Sequence, residues 1–313
     1  MISKNITLRG RNEIQAGKRS VLAEIARNRF AYLLIAPTVL YLLLFQMYPL
    51  VESIRISFTD LSLIKPGSGS YIGLENYKNL LFDDPQFWQI FRNSFLWVFG
   101  STVLQFALAI PAAMVLNEKL PMRGFWRGLV MIPWVTPVVV MGIIWKWIYD
   151  GDYGLFNYYL HALHITDSNI VWLGNEFWVW PALLFTSMWK GFPYTTLMCL
   201  AGLQGISQDI YEAAFVDGAD AVKRFWYITM PLLMPVVFVT GLVCIISTWT
   251  KFEVIWALTG GGPGYATSIL PTYVYTQSFK FFELGMGSAV AVISAVFVFI
   301  IVSIYLKAFK AEY

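Results

Sequence analysis

Long apolar runs free of Asp, Glu, Lys and Arg alternate with short polar stretches along this chain, and the alternation predicts its elements. Five runs are unbroken: Phe30 to Val51, Asn93 to Asn117, Gly128 to Trp145, Phe225 to Thr250 and Leu284 to Leu306. A sixth, Phe177 to Gly202, carries one charge, Lys190. Each is long enough to cross a hydrocarbon core of roughly 30 Å as a helix. Helices are expected there because lipid offers backbone N–H and C=O groups no partner outside their own segment. The expected fold class is all-α integral membrane, with six transmembrane helices and both termini on one side. Composition agrees, at 58% hydrophobic, 13% charged and a mean hydropathy of +0.60, against about 25% charged in a soluble domain.

This pattern divides the chain into a basic N-terminal tail over 1–29, a six-helix transmembrane domain over 30–306 with a loop of special interest at 203–224, and a C-terminal tail over 307–313. Residues 1–29 hold seven basic residues, and Phe30 to Val51 is longer than the apolar region of a cleavable signal, so it is expected to remain as an anchor. The two tails and the even loops carry 14 Lys and Arg, against seven in the odd loops. By the positive-inside rule both termini are cytoplasmic, and membrane lipid is an expected partner.

A net charge of +3 excludes a nucleic-acid role. Cys199 and Cys244 both fall in apolar runs, which argues against disulfide or zinc chemistry. His161 and His164 are three apart, but two histidines without a third ligand read as solvated residues. There is no internal repeat and no low-complexity tract. Two outer segments keep two readings each. Leu61 to Arg92, with Phe87 and Trp88, is either a half-buried interfacial lid or scaffold, or a docking surface. Gly260 to Gly264 is either a gate or seat for an incoming protein, or a plain turn.

The fourth loop is the most informative. Ser207 is a candidate N-cap, Asp209 and Glu212 suit the positive end of a helix, and Ala213-Ala214 present small side chains. Gly218 is suited to end that helix at positive φ, and a second helix follows past Lys223 and Arg224. A short rigid elbow of this kind transmits a push that a loose loop would absorb.

The ordered string Glu212-Ala213-Ala214, two residues, Asp217-Gly218-Ala219, then Phe225, Ile228, Pro231 and Pro235 resembles the signature loop of ABC importer permeases, in the sugar-permease branch that includes the maltose and glycerol-3-phosphate systems. Ile72-Gly73-Leu74-Glu75-Asn76-Tyr77, Gly191-Phe192-Pro193-Tyr194 and Leu258-Thr259-Gly260-Gly261-Gly262-Pro263-Gly264 carry the likeness over most of the chain. Ser207 departs from the proline many relatives have, yet starts the same helix. The resemblance implies a type I ABC importer permease (MetI-like) fold in the inner (cytoplasmic) membrane, with a cytoplasmic coupling helix. Glu212, Ala213, Ala214, Asp217, Gly218 and Ala219 would dock on a partner ATPase. It further implies two ATPase copies, a second permease subunit expected to be a different chain, and an extracytoplasmic solute-binding protein. The chain itself has no Gly-x-x-x-x-Gly-Lys-[Ser/Thr] string, so no cofactor is expected in it. The resemblance implies a translocation subunit rather than an enzyme, with ATP and Mg bound by the ATPase partners.

Polar groups inside spans are costly in lipid and turn toward a cavity or another helix. Ser187, Lys190, Gly191 and Tyr194 recur at i, i+3, i+4 and i+7, one helical face. Cys244, Ser247, Thr248 and Lys251 repeat that spacing in the fifth run. In the resemblance these faces match the sugar path, with two lysines where neutral groups are usual. A sugar or oligosaccharide is expected, with Lys190 and Lys251 favouring carboxylate or phosphate groups on it. The rival is an ion-coupled secondary transporter, which shares the proline-broken helices but wants buried carboxylates. None of the five unbroken runs contains one, and Glu52, Glu176, Glu253 and Glu283 fall at span ends. An intramembrane enzyme is disfavoured because both histidines lie outside the spans.

Overall fold

The structure is a computed structural model and describes residues 28–312. The basic tail expected over 1–29 therefore lies, through residue 27, outside the described residues. The chain divides between Arg55 and Ile56 into two units. In the first, the opening run forms helix α1 (Arg29–Ile56). A widened turn over Leu43–Met47, where the Tyr48 N–H reaches Leu43 O, lies just before Pro49, which has no N–H to give. Near its end Arg55 grips Glu52 through two hydrogen bonds of 2.9 and 2.6 Å.

The second unit is helical, and its only bridges between extended residues, among the described residues, are Thr59 with Tyr71 and Ser62 with Glu283. The short helix α2 (Glu75–Lys78) is held by buried Asn76, whose Nδ2 donates to Ser57 O at 2.9 Å and Thr59 O at 2.8 Å. Helix α3 (Phe87–Asn117) spans 31 residues, about 46 Å at 1.5 Å per residue. Phe87 opens it and is completely buried. At the end of the segment Leu61 to Arg92, Phe87 and Trp88 thus form the first turn of a long helix, with Phe87 packed into the core and Trp88 left exposed.

The run Gly128 to Trp145 is not one helix. It breaks into α4 (Arg123–Val135) and α5 (Val138–Ile148), bent by 90°. Pro137 cannot donate into the helix and drives Thr136 to φ −61°, ψ 126°. Helix α6 (Leu155–Ala162) follows, with buried Asn157 tying it to the next segment. Its Nδ2 donates to Gly151 O and Ile170 O, and its Oδ1 accepts from Trp172 Nε1. His161 pairs through Nε2 with Asn169 Oδ1 at 2.8 Å. His164 lies past the helix end at φ +55°, so the two histidines do not share a helical face.

The sixth run forms α7 (Val179–Gln204), followed by α8 (Gln208–Val216) and the long α9 (Ala221–Thr250). Three shorter stretches complete the order: α10 (Glu253–Leu258), α11 (Leu270–Tyr275) and its widened continuation Thr276–Lys280, before α12 (Leu284–Glu312). Four helices, α1, α3, α9 and α12, are each long and apolar enough to cross a membrane, and the α4–α5 pair makes a fifth if its two halves count as one span.

Helix α7 packs along α3, and Gly191 makes their approach close: a Cβ there would strike the Gln105 carboxamide. One core cluster gathers Trp97, Trp145, Trp249 and Ile255 from α3, α5, α9 and α10. A second joins Ala113 and Leu116 of α3 to Cys199, Leu200 and Leu203 of α7 and Leu233 of α9. The cysteines are free, buried thiols. Val103, Val139, Val239 and Phe299 point outward, an apolar exterior suited to lipid.

Candidate functional site

Helices α3, α7 and α9, with the α4–α5 corner and the start of α10, line a half-open cavity of about 440 Å³. All eight residues expected along the solute path line it: Ser187, Lys190, Gly191 and Tyr194 from α7, Cys244, Ser247 and Thr248 from α9, and Lys251 just beyond it. The helical spacing put each set on one face, and packing turned the two faces toward each other. Local hydrogen bonds finish the polar lining. Ser247 Oγ donates to Cys244 O at 3.1 Å, and Cys244 Sγ lies 3.6 Å from Thr195 Oγ1. Lys251 leaves the helix at φ −95°, ψ 125°, which carries its exposed side chain to the end of the cavity.

Seven further residues line it; three are valines, and the other four, Trp97, Gln105, Trp134 and Glu253, bring aromatic, amide and acidic groups that were not anticipated. Gln105 had a signal, since it is an amide in the middle of the uncharged run Asn93 to Asn117. Trp134 is delivered by the α4–α5 break and stacks on Tyr194, with centroids 6.4 Å apart and planes at 19°. Glu253, placed at a span end by its sequence position, starts α10 and faces the same space as Lys251. Two lysines and one glutamate leave the lining one positive charge in excess.

Lys190 lines the cavity, but its ammonium is engaged. Nζ donates to Pro133 O at 3.2 Å, Trp134 O at 2.8 Å and Thr136 O at 2.5 Å. The broken backbone of α4 offers the carbonyls that hold this ammonium at the cavity wall.

The elbow forms by local rules. Ser207 caps α8, its Oγ accepting from the Asp209 N–H at 3.3 Å. Gly218 turns the chain at φ +78°, and the Ala219 N–H closes on Ala214 O at 2.9 Å. Asp220 then caps α9, accepting from the Lys223 N–H at 2.7 Å. Glu212, Ala213, Asp217 and Gly218 are exposed, whereas Ala214 is buried and Ala219 half-buried. Phe215 and Val216 are 70% and 85% exposed, an apolar tip that the small-residue pattern had not singled out.

The Gly260 to Gly264 stretch is a hydrogen-bonded turn. Thr267 Oγ1 donates to Gly262 O at 2.7 Å and Ser268 Oγ to Gly261 O at 3.1 Å. Asn93 of α3 donates to Ala266 O and Ser268 O, fastening the loop to that helix.

Apolar helices of membrane-crossing length, a mainly apolar cavity with polar groups set in its wall, and a capped, exposed elbow define an integral membrane transport component. The comparisons make this specific. Residues 105–309 match the family described as binding-protein-dependent transport system inner membrane component, and the chain belongs to that family. It is 37% identical over 285 residues to the trehalose/maltose transport system permease protein MalF of Thermococcus litoralis, a match covering 89% of this chain and 93% of that one. It is 35% identical to the sulfoquinovosyl glycerol transport system permease protein SmoG of Agrobacterium fabrum, covering 92% and 93%. In fold it is similar to a chain of the bacterial alginate ABC transporter crystallised with an alginate pentasaccharide-bound periplasmic protein. There the TM-score is 0.77 at 21% identity, covering 91% of this chain and 95% of that one.

Proposed function

We propose that this chain is one permease half of an ATP-driven importer that moves a sugar or oligosaccharide through the cavity between α3, α5, α7 and α9. The observation that carries the reading is the convergence on one cavity of eight residues from α7, α9 and the position just after α9. The stacked Trp134 and Tyr194 flank it. Sugars present hydroxyls to amide and hydroxyl groups and C–H faces to aromatic rings, and this lining offers both. Relatives named for trehalose/maltose and sulfoquinovosyl glycerol transport support the substrate class. Lys251 and the surplus positive charge favour a solute with an acidic group.

In this reading α7 is the sixth crossing. Its 26 residues suffice in length, about 39 Å, and its low apolarity reflects polar groups such as Thr186, Ser187, Thr195 and Thr196, all buried inside the protein. Both termini are cytoplasmic by the Lys and Arg distribution. The elbow from Glu212 to Ala219 docks on an ATPase, with Phe215 and Val216 as its apolar tip. ATP and Mg bind to two copies of that partner, a different permease chain supplies the second wall, and an extracytoplasmic binding protein delivers the solute. Glu253 in the cavity favours the rival ion-coupled reading, but family membership and the elbow outweigh it.

The test is purification in mild detergent with identification of co-eluting chains, followed by uptake of radiolabelled maltose and of an alginate trisaccharide in proteoliposomes. An ATPase and a second permease are expected, with uptake dependent on enclosed ATP. Uptake that survives ATP removal and collapses with the ion gradient would overturn the proposal.

A further inference from the structure

The bend between α4 and α5 leaves backbone carbonyls that neither helix can serve. In a continuous helix Pro133 O would receive the N–H of residue 137, but residue 137 is proline and has none. The Ile132 carbonyl is served locally, accepting the Thr136 N–H at 3.1 Å and Thr136 Oγ1 at 2.7 Å. Pro133, Trp134 and Thr136 offer carbonyls without such a donor, and all three accept from Lys190 Nζ. An ammonium has three N–H donors and no acceptor, so this one is fully committed to the corner. The negative end of the α4 dipole favours a cation at that place.

We infer that Lys190 is a positioning residue: it staples the α4–α5 corner to α7 and so holds the Trp134 indole against Tyr194, while the solute's charge is left to Lys251. The inference rests on the reading of the cavity as the solute path. Trp134 sits at the corner itself, between two of the stapled carbonyls, and Tyr194 lies one turn beyond Lys190 on α7. The staple and the stacked pair therefore fix the same two segments at adjacent points. Removing the ammonium frees three carbonyls and the corner's register on α7 together. A lysine that bound solute charge directly would keep at least one N–H for it.

The test uses the intact transporter with fluorotryptophan incorporated, the Trp134 ¹⁹F resonance being assigned by its loss in Trp134→Phe. Lys190→Met is expected to move or broaden that resonance and to speed amide exchange over residues 136–141 about tenfold, the effect of losing one charge-assisted hydrogen bond's worth of protection. Lys190→Arg restores both, and Lys251→Met changes neither. Lys190→Met is expected to lower maltose and alginate trisaccharide uptake by the same factor, whereas Lys251→Met lowers uptake of the acidic probe by a larger factor than that of maltose. An unmoved Trp134 resonance with unchanged exchange, or a loss confined to the acidic probe in Lys190→Met, would overturn the inference. If Lys190→Met does not accumulate, Lys190→Gln against Lys190→Arg gives the same comparison, with the glutamine variant expected to show the loosened corner. Failure of the wild-type transporter to take up either probe would count against the proposed substrate class, and the resonance and exchange measurements would still decide the role of Lys190.

Discussion

Replacing Gly191 by alanine puts a methyl group where the Gln105 carboxamide lies. A Cβ built on Gly191 falls 2.5 Å from Gln105 Nε2, well inside contact distance. Helices α3 and α7 are tightly packed here, and Gln105 itself is only 6% exposed, so the amide has little room to retreat except into the cavity. Overpacking of this kind costs about 1–3 kcal/mol. Thermal unfolding of the detergent-purified protein would then shift downward by about 2–4 °C for each kcal/mol. Gln105→Ala removes the obstacle, so the double variant Gly191→Ala, Gln105→Ala should recover most of the glycine substitution's cost. The coupling in the cycle should be of the same order, about 1–3 kcal/mol. Additive effects of the two substitutions, or a Gly191→Ala variant that unfolds like the unsubstituted protein, would refute the claim that this glycine exists to admit the glutamine.

Three further outcomes follow from other parts of the molecule. Gly218→Val forces a β-branched residue to φ +78°, at a cost of at least about 1–2 kcal/mol. The assembled transporter should lose solute-stimulated ATP hydrolysis while the chain still inserts, and unaltered stimulation would count against the elbow. Asn157→Ala strips partners from Gly151 O, Ile170 O and Trp172 Nε1. A loss of roughly 2–4 kcal/mol in unfolding stability is expected, and a neutral result would show the network to be dispensable. Asp150 accepts the N–H groups of Asp152 and Tyr153, and those backbone hydrogen bonds hold its carboxyl below its ordinary range. The turn's stabilisation is therefore present above the unfolded-state value of about 3.9 and disappears as pH falls through the lower folded value. Protection of the Asp152 and Tyr153 amides relative to their intrinsic exchange should hold from pH 7 to 5 and fall in more acidic solution; Asp150→Ala should abolish that dependence.

Features that depend on neighbours along the chain were legible before any coordinates. Ser207 and Gly218 set the elbow through bonds spanning two to five residues, and the i, i+3, i+4, i+7 spacing on α7 put Ser187, Lys190, Gly191 and Tyr194 on one face. The same spacing argument, applied to the run Asn93 to Asn117, would have drawn in Gln105. The break at Thr136-Pro137 also had a local signal, but an apolar run masks it because hydropathy is blind to a missing N–H.

By itself, then, the chain's order of residues determined where helices form, which faces are polar and how the elbow is capped. Those outcomes rest on backbone hydrogen bonding and capping within a turn or two. Tertiary structure decided what the faces meet. Lys190 found the carbonyls of a corner more than fifty residues away in the chain, and Trp134 found Tyr194. Glu253 joined Lys251 at the cavity, and Asn93 fastened the glycine-rich turn. An ammonium or an amide accepts whichever partner packing brings within about 3 Å, and that choice is made by the assembled helices rather than by the segment that carries the side chain.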